Sequence, residues 1–286
     1  MQTASERSQK LVALRQALRE LKPVLVAFSG GVDSSFLLRV AAEEIGGEAV
    51  ALTTRSPTAA EDDEKQAVEL AARLGVPHLL IDANELKIPG YAENPTNRCY
   101  LCKGSLYQIC HAEAERLGIE SIIDGVNLDD LGDYRPGLTA AAEQRIRHPL
   151  AEVGLSKSDI RVLSQDLGLA TWDKPSSPCL SSRFPYGTTI TLEGLAKVAG
   201  AERVLHDLGF RACRVRYHDP VARIEVPAAD LARLVQLEVR GVVLEKLREL
   251  GFLYVTVDLQ GYRTGSLNEA IVGAETTPPS GGPLRS

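Results

Sequence analysis

The stretch Val24-Leu25-Val26-Ala27-Phe28-Ser29-Gly30-Gly31-Val32-Asp33-Ser34-Ser35 constrains the fold more than any other part of the chain. An apolar run of strand length meets a Gly-Gly turn, and the helical pattern Phe36–Glu44 begins almost at once. A strand that is apolar at successive positions is buried on both faces, as in a parallel sheet sandwiched by helices. The unit then recurs. Glu48–Thr53 precedes the helical pattern Glu61–Leu74, His78–Ile81 follows, and Ser105–Leu117 leads to Ser121–Asp124. The expected fold class is therefore α/β, a parallel sheet covered by helices on both faces. Ligands of such sheets lie beyond the carboxyl ends of the strands, which singles out the loops Ser29–Ser34, Thr53–Pro57 and Asp124–Asp133.

The first of these loops has the composition of an anion site. Its glycines let backbone N–H groups come close, its serines add donors, and the helix behind it presents a positive N-terminus. No Gly-Lys-Ser/Thr follows, so a hydrolase of the Walker type is disfavoured. The alternative is a plain Gly-Gly turn capped by Ser29, with Asp33 as an ordinary helix-start acid. The hexapeptide resembles the pyrophosphatase loop of the N-type ATP pyrophosphatases. That resemblance implies ATP and Mg²⁺ as cofactors, attack of a substrate oxygen on the α-phosphate, and an adenylylated intermediate. The nucleotide-binding residues would be Ser29, Gly30, Gly31, Val32, Asp33 and Ser34, with Asp33 also catalytic. Asp124, Asn127 and Asp129 follow a strand at the ligand edge, where acids can hold Mg²⁺ or substrate, although Asp and Asn are also common in turns.

Periodicity stops beyond residue 168. Residues 169–190 carry three prolines, Pro175, Pro178 and Pro185, among small polar residues, and read as a linker holding Cys179. Residues 1–168 then form the nucleotide domain and 191–272 a smaller α+β domain. The latter is expected to contain a helix Leu192–Leu208, strands Ala212–Tyr217 and Ala222–Val226, one long helix Ala229–Leu250 and a strand Tyr254–Asp258. Residues 273–286, rich in proline and glycine, read as a disordered tail. Thirty-eight acidic against 32 basic side chains leave −6, so no broad basic face for nucleic acid is expected. Apolar runs are far too short to cross a bilayer, and the N-terminal residues do not read as a secretory signal. A cytoplasmic, reducing location is the expectation.

In such a compartment five cysteines are better read as ligands, reactive thiols or core residues than as disulfides. Arg98-Cys99-Tyr100-Leu101-Cys102-Lys103 is a Cys-x-x-Cys expected in a loop before a helix, and Cys179 lies in the linker. Three loop thiolates without a fourth suit a [4Fe–4S] cluster with one open iron better than structural zinc, for which His78 or His218 would have to serve as a fourth ligand. Cys110 and Cys213 fall in regular elements and read as small core residues. Trp172 and Tyr186 are expected to pack in a core rather than stack on a ligand.

Three further segments narrow the family. They are Pro95–Lys103, then Asp124-Gly125-Val126-Asn127-Leu128-Asp129-Asp130 with Asp133-Tyr134-Arg135-Pro136-Gly137, and Lys174-Pro175-Ser176 through Tyr186-Gly187. Together they resemble the LarE sulfurtransferases that build the nickel-pincer nucleotide of lactate racemase, along nearly the whole chain. The resemblance implies an anionic mononucleotide substrate, pyridinium-3,5-biscarboxylic acid mononucleotide, whose carboxylates are adenylylated and become thiocarboxylates. It implies Cys179, Ser182 and Arg183 at the catalytic centre and Arg214, Arg216, Glu202, Glu225 and Arg263 around the substrate. The best-known members sacrifice the cysteine matching Cys179 and leave dehydroalanine. Here Cys99 and Cys102 are added, as in a three-cysteine subgroup whose [4Fe–4S] cluster takes up sulfide or another sulfur donor. A homo-oligomer, pointing to a hexamer, is implied as well, with neither nucleic acid nor membrane as partner. The rivals are an RNA thiolase with the same loop and cluster, an amide ligase resembling NAD or GMP synthetase, and a nucleotide-responsive iron–sulfur sensor.

Overall fold

The computed structural model describes residues 3–132, 136–175 and 178–263. The motif residues Asp133, Tyr134, Arg135 and Ser176 and the tail 273–286 lie outside that range. The chain divides into two compact units. One is Met1–Leu180 with Tyr186–Leu192, and the other is Ser181–Pro185 with the chain from Glu193 onward. Among the described residues no helix is long and apolar enough to cross a membrane.

In the first unit, α1 (Ala4–Leu21) is opened by a capping box in which the Thr3 hydroxyl accepts the Glu6 N–H and the Glu6 carboxylate accepts the Thr3 N–H. Then follow β1 (Val24–Ala27), α2 (Val32–Ile45), β2 (Ala49–Arg55), α3 (Glu61–Leu74), β3 (His78–Asp82), α4 (Arg98–Leu117), β4 (Ser121–Asp124), α5 (Pro136–Glu143), α6 (Pro149–Glu152) and α7 (Lys157–Asp166). The four strands form one parallel sheet in the order β3-β2-β1-β4. Alternation along β1 divides the core. Val24 and Val26 pack with Leu14 and Leu18 of α1, Phe36 and Leu37 of α2, and Ile160 and Leu163 of α7. Leu25 and Ala27 pack with Tyr107, Cys110 and Ala114 of α4 and Ala140 and Ala141 of α5. The expected sheet, covered on both faces, is what forms.

One local expectation is corrected. Cys99 and Cys102 are not in a loop but in the first turns of α4, which starts at Arg98. Pro95 and Asn97 break the chain before it, and the Tyr100 N–H then bonds the Asn97 carbonyl at 2.9 Å. Helical spacing of three places both thiols on one face.

The second unit contains α8 (Leu192–Asp207), β5 (Arg214–His218), β6 (Val221–Glu225), α9 (Leu231–Leu234), α10 (Leu237–Glu249) and β7 (Tyr254–Val257). β5 and β6 are antiparallel, and β7 runs parallel to β6. The single long helix expected over Ala229–Leu250 is two helices, because Gln236 is extended (φ −59°, ψ 145°) and starts α10 afresh.

Candidate active site

The loop between β1 and α2 is shaped by backbone contact. Gly30 has φ +70°, and a Cβ there would stand 3.0 Å from Ala67 Cβ and 3.1 Å from the Asp63 carbonyl oxygen of α3. From the other side Gly125, just after β4, is so close that a Cβ would lie 2.8 Å from the Ser34 nitrogen. The hydroxyls of Ser29 and Ser34 are 3.0 Å apart, and the Ser34 hydroxyl also takes the Ser29 N–H at 3.3 Å. Asp33 accepts the Lys157 ammonium on Oδ2, while its Oδ1 is buried without a hydrogen-bond partner. Burial pushes this carboxyl above its usual range, and Lys157 only partly offsets it.

The turn after β4 is organised by Asp124, which is buried. Its carboxylate accepts Tyr107 Oη at 2.7 Å, His148 Nδ1 at 2.7 Å and the Val126 N–H at 3.1 Å. Burial acts to raise this carboxyl, but His148, Lys103 and Tyr107 outweigh it and hold it low. Asn127 Oδ1 accepts the Asp129 N–H at 2.9 Å, and Asp129 Oδ2 accepts the Lys157 N–H at 2.9 Å. Asp124, Asn127 and Asp129 thus brace the turn that rests on the phosphate loop.

None of the five cysteines is in a disulfide. Cys99 and Cys102 share a face of α4, and Cys179 approaches them on a segment anchored where the Leu180 N–H bonds the Thr58 carbonyl at 2.7 Å. Burial raises both α4 thiols, and the proximity of Cys179 raises them further. Cys102, next to Glu85, is pushed up to about 12. The metal-free Cys102 thiol is therefore expected to alkylate at pH 8 roughly 10²-fold more slowly than a free cysteine of pKa ~8.5, its scarcer thiolate being offset in part by higher nucleophilicity. Timed iodoacetamide labelling with peptide mapping measures this. Among the described residues no three His, Cys, Asp or Glu side chains surround a single ion site. Cys110 is in the core, and Cys213 is buried just before β5.

Sequence reasoning passed over several groups at this edge of the sheet. Lys103, half-buried, lies 5.3 Å from the Tyr107 ring centre and attracts Cys99, Cys102 and Asp124. Buried Glu85 accepts the Ser56 hydroxyl, and His148 pairs with Asp124. Only Lys103 carried a signal, since it adjoins the Cys-x-x-Cys. Trp172 is partly exposed rather than packed in a core, because its turn is tied down through the backbone, its carbonyl accepting Arg161 at 2.7 Å. Tyr186 lies under Arg98, 5.7 Å from the ring centre. A cleft of about 430 Å³ between α4, α5 and residues 87–89 holds none of the candidate side chains.

In the second unit Arg183, Arg214 and Arg216 are buried, and Arg183 and Arg216 are paired with carboxylates. Arg183 makes a two-pronged bond to Glu202 (2.9 and 2.8 Å), and Arg216 makes the same to Glu225 (2.9 and 2.8 Å). Arg216 also donates to the Ser182 carbonyl at 2.9 Å, and Glu202 takes the Val215 N–H at 3.0 Å. Arg214 bonds the Cys213 carbonyl and stacks on Tyr262, 5.0 Å from the ring centre. The Ser182 hydroxyl accepts from Arg183, and Arg263 donates to Gln260.

Comparison with known proteins agrees with this geometry. The asparagine synthase family model matches residues 11–91, a span that holds β1 to β3 and the phosphate loop. The chain is 47% identical over 262 residues to the uncharacterized protein slr1717 of Synechocystis sp., covering 92% of this chain and 98% of that protein. It is 33% identical over 193 residues to the tRNA-specific 2-thiouridylase MnmA of Azorhizobium caulinodans, covering 54% of this chain and 49% of that enzyme. With the pyridinium-3,5-bisthiocarboxylic acid mononucleotide synthase of Lactiplantibacillus plantarum it shares 38% identity over 276 residues, 96% of this chain and 98% of that one. On that near-complete match, carried by a phosphate loop at a parallel sheet edge, the chain belongs to the LarE family of pyridinium-3,5-bisthiocarboxylic acid mononucleotide synthases.

Proposed function

We propose that this protein uses ATP to adenylylate the carboxylates of pyridinium-3,5-biscarboxylic acid mononucleotide and converts them to thiocarboxylates. The observation that carries the reading is the convergence of Cys179 on Cys99 and Cys102 at the sheet edge whose first loop is built for phosphate. A carboxylate oxygen attacks the α-phosphorus, the bond to the β-phosphate oxygen breaks, and pyrophosphate leaves with the electron pair. A sulfur nucleophile then adds to the acyl carbon and AMP departs. Ser29, Ser34, the loop N–H groups and the α2 N-terminus meet the phosphates. The orphaned, buried Asp33 Oδ1 suits Mg²⁺. In the second unit Arg214, Arg216 and Arg263 are assigned to the substrate's phosphate and carboxylates, with Glu225 orienting the Arg216 fork, while Arg183, oriented by Glu202, and Ser182 are assigned to the catalytic centre.

Three thiols from two chain segments suit a [4Fe–4S] cluster, which spans several irons and so takes ligands that do not crowd one point. When bound, such a cluster supplies an iron without a protein ligand, where an extra sulfide can sit. Cys99, Cys102 and Cys179 would hold it, and the Lys103 ammonium beside them would offset thiolate charge. The second reading is sacrifice of the Cys179 sulfur, which the position of that thiol also permits. Mass spectrometry after a single turnover distinguishes the two, since dehydroalanine at Cys179, lighter by about 34 Da, belongs to the sacrificial route alone.

Asp33→Ala is expected to abolish pyrophosphate release while the melting temperature stays close to that of the parent protein. Release at the parental rate removes the adenylylation role of this loop. Gly125→Ala, which drives a methyl into the Ser34 backbone, is expected to weaken ATP binding at least roughly tenfold, an effect of the order of an overpacked contact. Calorimetric titration with ATP checks it.

A further inference from the structure

Among the described residues the buried carboxylates of Asp124, Asp159, Glu202 and Glu225 each face a basic side chain, His148, Lys10, Arg183 and Arg216 respectively. Glu85 does not follow them. It is 8% exposed, in the turn just after β3, and is met instead by a hydroxyl, that of Ser56 in the loop after β2. A buried carboxylate on a neutral donor is costly to retain, so its place asks for a reason beyond packing.

The hydroxyl protons set the direction of the bonds around it. Ser56 has one proton, and Glu85 takes it. The other contacts of Ser56 Oγ are therefore donated to it, the Thr58 N–H at 3.0 Å and the Thr58 hydroxyl also at 3.0 Å. Both donors of Thr58 thus close on one oxygen, and the Thr58 carbonyl takes the Leu180 N–H at 2.7 Å. Thr58 is buried, so the run is shielded from water, and a charged acceptor at its end strengthens each donor behind it. Leu180 directly follows Cys179. At the other end Glu85 stands beside Cys102, whose thiol burial, Cys179 and Glu85 all raise. One run of bonds therefore begins beside Cys102 on α4 and ends beside Cys179, on the two segments whose thiols have to meet.

We infer that Glu85, acting through Ser56 and Thr58, is a positioning residue that sets where the Cys179 thiol stands relative to Cys102. The inference rests on the reading above that Cys179 works together with the α4 thiols. It holds for the cluster route and for the sacrificial one alike, since both need that thiol held in one place.

The test is bridging of Cys102 to Cys179 in metal-free, full-length protein by dibromobimane, which fluoresces once both of its arms have alkylated thiols. Mass spectrometry identifies the joined peptides. Glu85→Ala and Ser56→Ala are each expected to slow bridging roughly tenfold, the size of a lost hydrogen bond to a charged group, in protein that still unfolds cooperatively. Loss of the Glu85 charge eases ionisation of Cys102, so a slower bridge in that variant reports misplacement and not a less reactive thiol. Glu85→Gln keeps an acceptor for the Ser56 proton and is expected to recover most of the loss. The double variant Glu85→Ala with Ser56→Ala is expected to be no slower than either single one, because both changes break the same run. Bridging at the parental rate in either alanine variant overturns the inference. Losses that multiply in the double variant, or a Glu85→Gln as slow as Glu85→Ala, overturn it too. A parent protein in which Cys179 bridges neither Cys99 nor Cys102 overturns the convergence of the three thiols itself.

Discussion

Serine in place of Cys99, Cys102 or Cys179 is expected to cost anaerobically reconstituted protein most of its iron, whereas Cys110→Ser keeps it. A cluster left with two protein thiolates is poorly held. Cys110 lies in the core formed by Leu25, Tyr107 and Ala141. Iron and sulfide per chain, with the visible absorption of the cluster, are the measurements. Pyrophosphate release is a second readout that these variants should spare, because the phosphate loop lies on β1 and α2 rather than on α4. Full iron in any one of the three single variants excludes that thiol from the ligand set.

The Arg216→Ala variant is expected to lose about 2–4 kcal/mol of stability, because the Glu225 carboxylate, 1% exposed, exchanges a two-pronged guanidinium partner for the single remaining contact with Arg223 at 3.3 Å. At this chain length that corresponds to a fall in melting temperature of the order of 10 °C. Pairing the change with Glu225→Gln removes the under-partnered charge and is expected to restore part of the loss. Thermal unfolding of the three variants measures it, and an Arg216→Ala melting point within about 2 °C of the parent protein contradicts it. The same pairing governs how substrate binding is to be tested. Affinity lost in Arg216→Ala alone mixes a missing donor with an unsettled Glu225, so the double variant is the cleaner comparison.

The sheet was legible because its evidence is local. Val24–Phe28 is apolar at every position and meets its turn immediately, and that pattern has few other solutions. The phosphate loop was legible for the same reason. The helical placement of Cys99 and Cys102 was not, because Asn97 suits a turn as well as a helix start and Gly104 interrupts the first turns of α4 with a poor helix former. Nor was the break at Gln236, where Leu231–Glu249 keeps a helical pattern although one residue turns extended. The ion pairs of Arg183 and Arg216 join residues of different segments, and no periodicity marks which carboxylate each will meet. Lys157 was hidden most fully. Its partner, Asp33, lies more than a hundred residues upstream, and only the closing of the fold brings the two together.

The two glycines that hem in the phosphate loop bear on how a nucleotide binds there. The side-chain hydrogen bonds within the loop are long, from 3.0 to 3.4 Å, and ordinary backbone bonds pin only its ends, the Phe28 N–H on the Leu52 carbonyl at 2.8 Å and the Ser35 N–H on the Gly31 carbonyl at 2.9 Å. Asp63 and Ala67 of α3 stand against Gly30, and Gly125 stands against Ser34, so closely that neither glycine leaves space for a side chain. Conformational entropy has thus already been surrendered when the protein folds, and a triphosphate meets a rigid receptor. The affinity of the loop is then set by the charge and donors it displays, without a toll for ordering it at each turnover.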